Sequence, residues 1–229
     1  PHDSNKKDLI NFYKINNDKV VIQNFIPMLP TIYNQNKNKK NFYIELFNKF
    51  ELPNDKKIIF YPAQFWAHKN HKYIVDTVEI LKKIKNQKFH FVFCGDKKNN
   101  YEFINKQISE KKLKEYFTIY NFLSDHEVIA LYKNSDAVVM PTYCGPTNLP
   151  IYESFFFKKV IFYTKNLIKN DSINSRLIEI DTSSPDDFVD KLEICFDSDK
   201  IKKITSSNYE FYNQICSEDL FKSTYKRVL

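Results

Sequence analysis

Two short stretches hold most of the side chains that have chemistry to offer. In Tyr61-Pro62-Ala63-Gln64-Phe65-Trp66-Ala67-His68-Lys69-Asn70-His71, Lys69 stands just before a predicted helix. There its ammonium and the unpaired N–H groups of the first turn can converge on an anion. Trp66, His68 and His71 add an amphipathic ring and two possible hydrogen-bond donors. His68 and His71 lack a third Cys, His or acidic neighbour in sequence, so no metal site is expected. The second stretch is Pro141-Thr142-Tyr143-Cys144-Gly145-Pro146-Thr147-Asn148-Leu149-Pro150-Ile151-Tyr152-Glu153. A glycine, prolines and short polar side chains here describe a tight loop that presents backbone N–H groups at a helix N-terminus. Glu153 follows about one turn into that helix. A lysine before a helix is most often solvated, and a glutamate in a first turn most often complements the helix dipole. The sharper readings are a phosphate for Lys69 and a ligand hydroxyl for Glu153.

These stretches are placed by an alternation of β-rich runs and helical patterns. Strands are predicted over 57–61, 89–94, 117–119, 136–140 and 160–163, with a weaker one over 177–180. Helices are predicted over 71–84 (apolar stripe Ile74, Val78, Ile80, Leu81, Ile84), 101–112, 124–133, 150–157, 185–196 and from 208 to the end. Ser124 followed by Glu127 has capping-box spacing. Near-continuous apolar strands alternating with helices predict a doubly wound, Rossmann-like parallel sheet covered on both faces. Such sheets bind ligands beyond the carboxyl ends of their strands, which directs attention to the loops after Tyr61, Cys94, Ile119 and Met140.

Composition narrows the chemistry. The 229 residues include only two glycines, and all but two of the 35 basic residues are lysine. That bias matches A/T-rich codon usage. It excludes a P-loop, a dinucleotide fingerprint and a Gly/Ser linker, each of which needs clustered glycines, since Gly95 and Gly145 stand fifty residues apart. The four cysteines have no paired spacing, and Cys94, Cys144, Cys195 and Cys216 are expected to be reduced and buried. No run approaches the roughly 20 apolar residues of a membrane span, and Pro1-His2-Asp3 does not read as a signal peptide, so a cytoplasmic protein is expected. The net charge of +7 reads either as a lysine-coated surface or as attraction to phosphates or anionic lipid head groups. Nucleic acid is not an expected partner, because arginine is scarce and no recognition motif is present.

The two stretches, their order and their spacing resemble the C-terminal half of retaining GT-B glycosyltransferases of family 4, the half that binds the nucleotide-sugar donor. Ala63-Gln64 and Lys69-Asn70 stand where that family has Gly-Arg and Lys-Asn or Lys-Gly. Asn121-Phe122-Leu123-Ser124-Asp125 through Leu131-Tyr132-Lys133-Asn134-Ser135-Asp136 matches its Gly-Phe-Val-Ser-Asp…Leu-Tyr-x-x-Ala-Asp run. Gly145 to Ser154 resembles its Gly-Pro-Thr-Asn-x-Pro-x-x-Glu-Ala loop. The likeness runs from about Ser4 to Tyr163 and more weakly beyond. It implies that Lys69 and Gln64 contact the donor diphosphate and that Gly145, Pro146, Thr147, Asn148 and Leu149 cradle sugar and phosphate. It also implies that Glu153 accepts from the ribose hydroxyls and that Leu123 and Ser124 meet the base. The donor would be a GDP- or UDP-sugar, with no cofactor or metal besides, and the product a bacterial surface polysaccharide made at the inner face of the membrane.

Two positions depart from the family pattern. Gln64 replaces its phosphate-binding arginine, and Gly145 replaces the first glutamate of its Glu-x7-Glu pair. Pro1 to Leu9 resembles the segment leaving the N-terminal domain, and Lys19 to Gln23 the strand after it. The chain therefore reads as one donor-binding domain over 1–229, with a helical extension from about 184 to 229 and without the acceptor-binding domain, so that transfer by it alone is not expected. The alternative is a catalytically degenerate α/β interaction module whose Gln64 and Gly145 mark lost chemistry.

Overall fold

The computed structural model describes residues 3–22, 26–36, 38, 41–144, 148–168 and 170–226. Three helices open the chain, α1 (Asp3–Tyr13), α2 (Met28–Gln35) and α3 (Phe42–Asn48). The α/β alternation then begins: β1 (Lys57–Pro62), α4 (His71–Lys83), β2 (Phe89–Cys94), α5 (Tyr101–Glu110), β3 (Phe117–Tyr120), α6 (Asp125–Asn134), β4 (Ala137–Met140), α7 (Leu149–Phe156) and β5 (Val160–Thr164). It closes with α8 (Asp171–Asn174), β6 (Ile178–Ile180), α9 (Pro185–Leu192), α10 (Ser198–Ile215) and α11 (Glu218–Lys226).

The six strands form one sheet in the order β3-β2-β1-β4-β5-β6, and every pairing is parallel. This is the doubly wound arrangement expected from the sequence. β2, β4 and β5 are buried along their whole length, as strands sandwiched between two helical layers must be. From β1 the chain winds outward through β2 to β3, then returns to β4 and winds the other way. Right-handed crossovers therefore put α4 and α5 on one face and α6 and α7 on the other. α9 packs on α4 and β6, while α2, α3 and α10 cover α6 and α7.

Several elements differ from the sequence reading. The buried face of α4 is formed by His71, Tyr73, Ile74, Val75, Thr77, Val78 and Leu81. Ile84 is its C-cap and is 57% exposed, because the stripe ends where the helix turns off the sheet. The helix expected from Asn208 begins at Ser198, where the Asp197 carboxylate accepts from the Lys200 N–H at 2.9 Å. The segment expected to form a strand over 19–23 does not pair with the sheet: Asn17–Lys19 is a 3₁₀ turn and Val20 is extended, while Gln23 lies outside the described residues. Cys94, Cys195 and Cys216 are buried as expected, but Cys144 is exposed, because it sits in the loop beyond β4 and not within the sheet.

The glycine-poor chain closes its helices with other residues. After α4, α5 and α7 the backbone turns left-handed at Lys85, Lys112 and Lys158, with φ of 56°, 54° and 55°. Each completes the same double hydrogen bond; after α5 it is Lys112 N–H to Ser109 O at 3.0 Å and Leu113 N–H to Ile108 O at 2.9 Å. A position of this kind favours glycine, and a side chain there costs about 1 kcal/mol. Lys112→Gly should therefore raise unfolding free energy by about 1 kcal/mol in urea titration; a loss of stability would refute the strain. Gly95 shows the opposite demand. A Cβ on it would lie 2.3 Å from the Ala63 carbonyl oxygen and 2.6 Å from the Gln64 nitrogen, so Gly95→Ala should cost about 1–3 kcal/mol in the same assay.

Candidate functional site

The order β3-β2-β1-β4-β5-β6 reverses direction between β1 and β4. Where neighbouring strands send their chains to opposite faces, the loops diverge and leave a crevice at the carboxyl edge. The loops after β1 and β4 are the two stretches singled out in the sequence, and the structure ties them together. The His68 carbonyl accepts from the Tyr143 N–H at 2.9 Å. The Thr142 hydroxyl lies 3.1 Å from that same oxygen and 2.5 Å from the Cys144 carbonyl.

The loop after β1 descends through a 3₁₀ turn, Ala67–Lys69, into a left-handed Asn70 (φ 54°) that caps α4. The Tyr61 hydroxyl at the end of β1 holds the turn by donating to the Lys69 carbonyl at 2.5 Å. Lys69 is half-buried and makes no ion pair among the described residues. Burial pushes its ammonium below the usual lysine range, opposed by nearby Cys144. Gln64 is exposed, and its Oε1 accepts from the Trp66 indole N–H at 2.9 Å. His71 does not face the crevice as a donor. It is fully buried, stacked on Phe65 at 4.3 Å and tilted against Tyr61 at 4.7 Å. Burial holds it neutral, with its pKa down to about 3.

Beyond β4, Thr142 is fully buried, and its carbonyl accepts from the Thr164 hydroxyl at 2.8 Å. Gly145, Pro146 and Thr147 lie outside the described residues. The loop re-enters at Asn148, left-handed at φ 50°, whose Oδ1 accepts from the Tyr163 hydroxyl at 2.7 Å. Leu149 then opens α7, and Glu153 follows one turn in with only 9% of its surface exposed. The Tyr132 hydroxyl of α6 donates to Glu153 Oε2 at 2.7 Å. Burial lifts the Glu153 carboxyl to about 7; the Tyr132 bond opposes the rise and Asp125 adds to it. Tyr132 is a partner that sequence spacing could not supply.

The loop after β3 lies two strands from β1, about 10 Å away. Ser124 caps α6 as its spacing predicts: its hydroxyl donates to Glu127 Oε2 at 2.6 Å and its N–H donates to the same oxygen at 2.8 Å. That hydroxyl is thereby committed within the helix cap. Leu123 is half-buried, and Phe122 before it is 83% exposed, an aromatic side chain on this edge to which the sequence reading gave no role. Among the described residues no group of three or more His, Cys, Asp or Glu is placed to hold a metal ion.

An open, all-parallel sheet whose strand order reverses between β1 and β4 defines an α/β domain of the Rossmann-like, doubly wound type. More narrowly, the chain belongs to the glycosyl transferases group 1 family, whose sequence profile matches residues 43–210. The fold is similar to that of a glycosyltransferase from Rickettsia africae ESF-5 (TM-score 0.77, 23% identity), covering 97% of this chain and 60% of that one. It is similar as well to Anabaena Alr3699/HepE, solved in complex with UDP and glucose (TM-score 0.68, 10% identity, 81% of this chain and 51% of that one). A third likeness is to WaaG, a glycosyltransferase involved in lipopolysaccharide biosynthesis (TM-score 0.63, 12% identity, 82% and 50%). The chain thus spans between half and 60% of these relatives. No curated protein sequence matches it significantly.

Glu153 supplies a test of the site's electrostatics. Its folded pKa, about 7, lies above the ordinary 4.5. Between those values the folded carboxyl keeps a proton that the unfolded chain has released, so its contribution to stability falls as pH rises through the window. Glu153→Gln, which keeps an acceptor for Tyr132, should therefore gain stability relative to the parent from about pH 4.5 to about 7, then level off. Parallel urea titrations at stepped pH would show it, and a pH-independent difference would contradict the burial of an ionisable Glu153.

Proposed function

We propose that the chain is the donor-binding side of a retaining, family 4 glycosyltransferase that moves a hexose from a nucleoside diphosphate sugar to a glycan or lipid-linked acceptor. The observation that carries this reading is the placement, on the two chain segments that leave the switch point of a group 1 glycosyltransferase fold, of a half-buried lysine before α4 and a nearly buried glutamate one turn into α7. The complexes of HepE with UDP, with UDP and glucose, and with UDP-glucose support a uridine diphosphate sugar, and GDP is the second candidate.

In this reading Lys69 faces the diphosphate. Its partial desolvation strengthens its pull on the negative charge that grows on the leaving group as the sugar departs. Glu153, with Oε2 engaged by Tyr132, accepts from the ribose hydroxyls. The backbone from Gly145 through Leu149 receives sugar and phosphate, and Leu123 and Ser124 meet the base. No further cofactor or metal is needed for binding. A role in bacterial surface polysaccharide synthesis, carried out on the cytoplasmic side with peripheral contact of the lysine-rich surface to the membrane, completes the proposal. No helix among the described residues is long and apolar enough to cross a membrane.

Ligands that bind only the folded state raise its melting temperature by mass action. A thermal-shift screen of UDP-, GDP-, dTDP- and CMP-sugars should single out one nucleotide, with UDP or GDP confirmed by calorimetry. Lys69→Ala should weaken it about tenfold or more, as expected for loss of a charge-assisted phosphate contact, and Glu153→Ala should weaken nucleotide and nucleoside alike. The reading fails if no nucleotide binds, or if both variants bind as the parent does.

A further inference from the structure

Gln64 presents an amide where a cation would serve a diphosphate better, and the structure shows how that amide is oriented. The Trp66 indole nitrogen lies 2.9 Å from Gln64 Oε1. An indole nitrogen only donates, so the amide oxygen must be the atom that faces it. The NH2 group, a pure donor, is left as the free end. The chemistry of the pair fixes the orientation, which free rotation of an exposed glutamine would otherwise scramble.

The loop around this pair is held from several sides. The Trp66 N–H donates to the Gln64 carbonyl at 2.8 Å, and the Phe65 N–H between them donates to the Asp96 carbonyl at 3.1 Å. Gly95 approaches so closely that any Cβ would strike Ala63 and Gln64 backbone. The Lys98 ammonium lies 5.8 Å from the centre of the Trp66 ring and is paired with Asp96. A chain of contacts thus runs from the loop after β2 to the Gln64 amide: Asp96 to Lys98, Lys98 to Trp66, Trp66 to Gln64. Because the charge of Lys98 is matched by Asp96, the chain of contacts delivers orientation to the Gln64 amide, not a second cation.

We propose that Trp66 is a positioning residue that turns the Gln64 amide so that its NH2 donates to the diphosphate of the donor. The inference rests on the donor-site reading given above and adds a specific division of labour. Lys69 supplies charge, and Gln64 supplies a directed neutral hydrogen bond. A neutral donor binds a phosphate oxygen more weakly than a guanidinium does but still discriminates by geometry. Trp66 is therefore the residue that makes a glutamine useful at a position where its side-chain entropy would otherwise work against binding.

The test is a double-mutant cycle on the 229-residue chain, read by calorimetry with UDP and uridine and, in parallel, GDP and guanosine. Gln64→Ala should weaken the diphosphate by about five- to tenfold and leave the nucleoside within about twofold. Trp66→Phe, which keeps a ring under Lys98 but loses the N–H, should weaken the diphosphate by about threefold, again sparing the nucleoside. In the Gln64→Ala background Trp66→Phe should do nothing further, because its route to the ligand is gone. An equal effect of Trp66→Phe in both backgrounds, an equal loss of nucleoside affinity, or no effect on the diphosphate would each overturn the proposal while leaving the donor site standing. Absence of nucleotide binding by the parent chain would overturn both.

Discussion

One backbone oxygen, the carbonyl of His68, joins the two loops at the point where the sheet changes direction. It receives the Tyr143 N–H at 2.9 Å and lies 3.1 Å from the Thr142 hydroxyl. Chains leaving adjacent strands for opposite faces would otherwise strand their polar groups at the mouth of the crevice, where a buried, unpaired carbonyl or N–H is costly. The rest of the scaffold around the site follows the same logic. Hydroxyls at the ends of buried strands are spent on loop backbone or loop side chains: Tyr61 on Lys69, Tyr163 on Asn148, and Thr164 on Thr142. This accounts for tyrosines where phenylalanine would fill the sheet equally well. The ring packs in the core while the oxygen reaches the loop.

The fold was legible because its signals are local and repeated. Apolar strand runs, turn residues after them and the Ser124–Glu127 spacing each report on a few neighbouring residues, and together they describe a doubly wound parallel sheet, while the strand order came from the structure alone. The first-turn location of Glu153 and the loop location of Lys69 were legible for the same reason. What escaped the sequence depends on partners distant in the chain. Tyr132 and Glu153 are 21 positions apart and meet only because α6 and α7 share a face. His71 looks like a polar residue at a helix start, but Phe65, Tyr61 and Phe93 close around it once β1 and β2 pair. A strand near Lys19 cannot be read without knowing what would pair with it. The early start of α10 had a readable signal, the Asp197 side chain three residues before Lys200, but the polar Ser-Asp-Lys run that follows hides the helical period.

The site combines groups of opposite sign that both lose solvent. Burial lowers the affinity of Lys69 for its proton and raises that of Glu153. Each shift disfavours the charged form, so in both cases burial sets the proton balance. The only described glycine at this edge, Gly95, serves close approach of two loops, not a cradle of backbone N–H groups. The left-handed positions at the starts of α4 and α7 are taken by asparagines, which tolerate that region.

The scarcity of glycine also shapes the state the protein folds from. A chain of this length would ordinarily carry about sixteen glycines; this one has two. Each glycine replaced by a larger residue removes about 0.4–1 kcal/mol of conformational freedom from the unfolded ensemble wherever the folded φ is negative. The opposing penalty falls only where a side chain is forced to positive φ, at eight positions among the described residues. Two of the eight, Asn70 and Asn148, are the caps of the site helices. The same scarcity of glycine that puts side chains at the left-handed helix ends has left the unfolded chain stiffer, with less entropy to regain by melting.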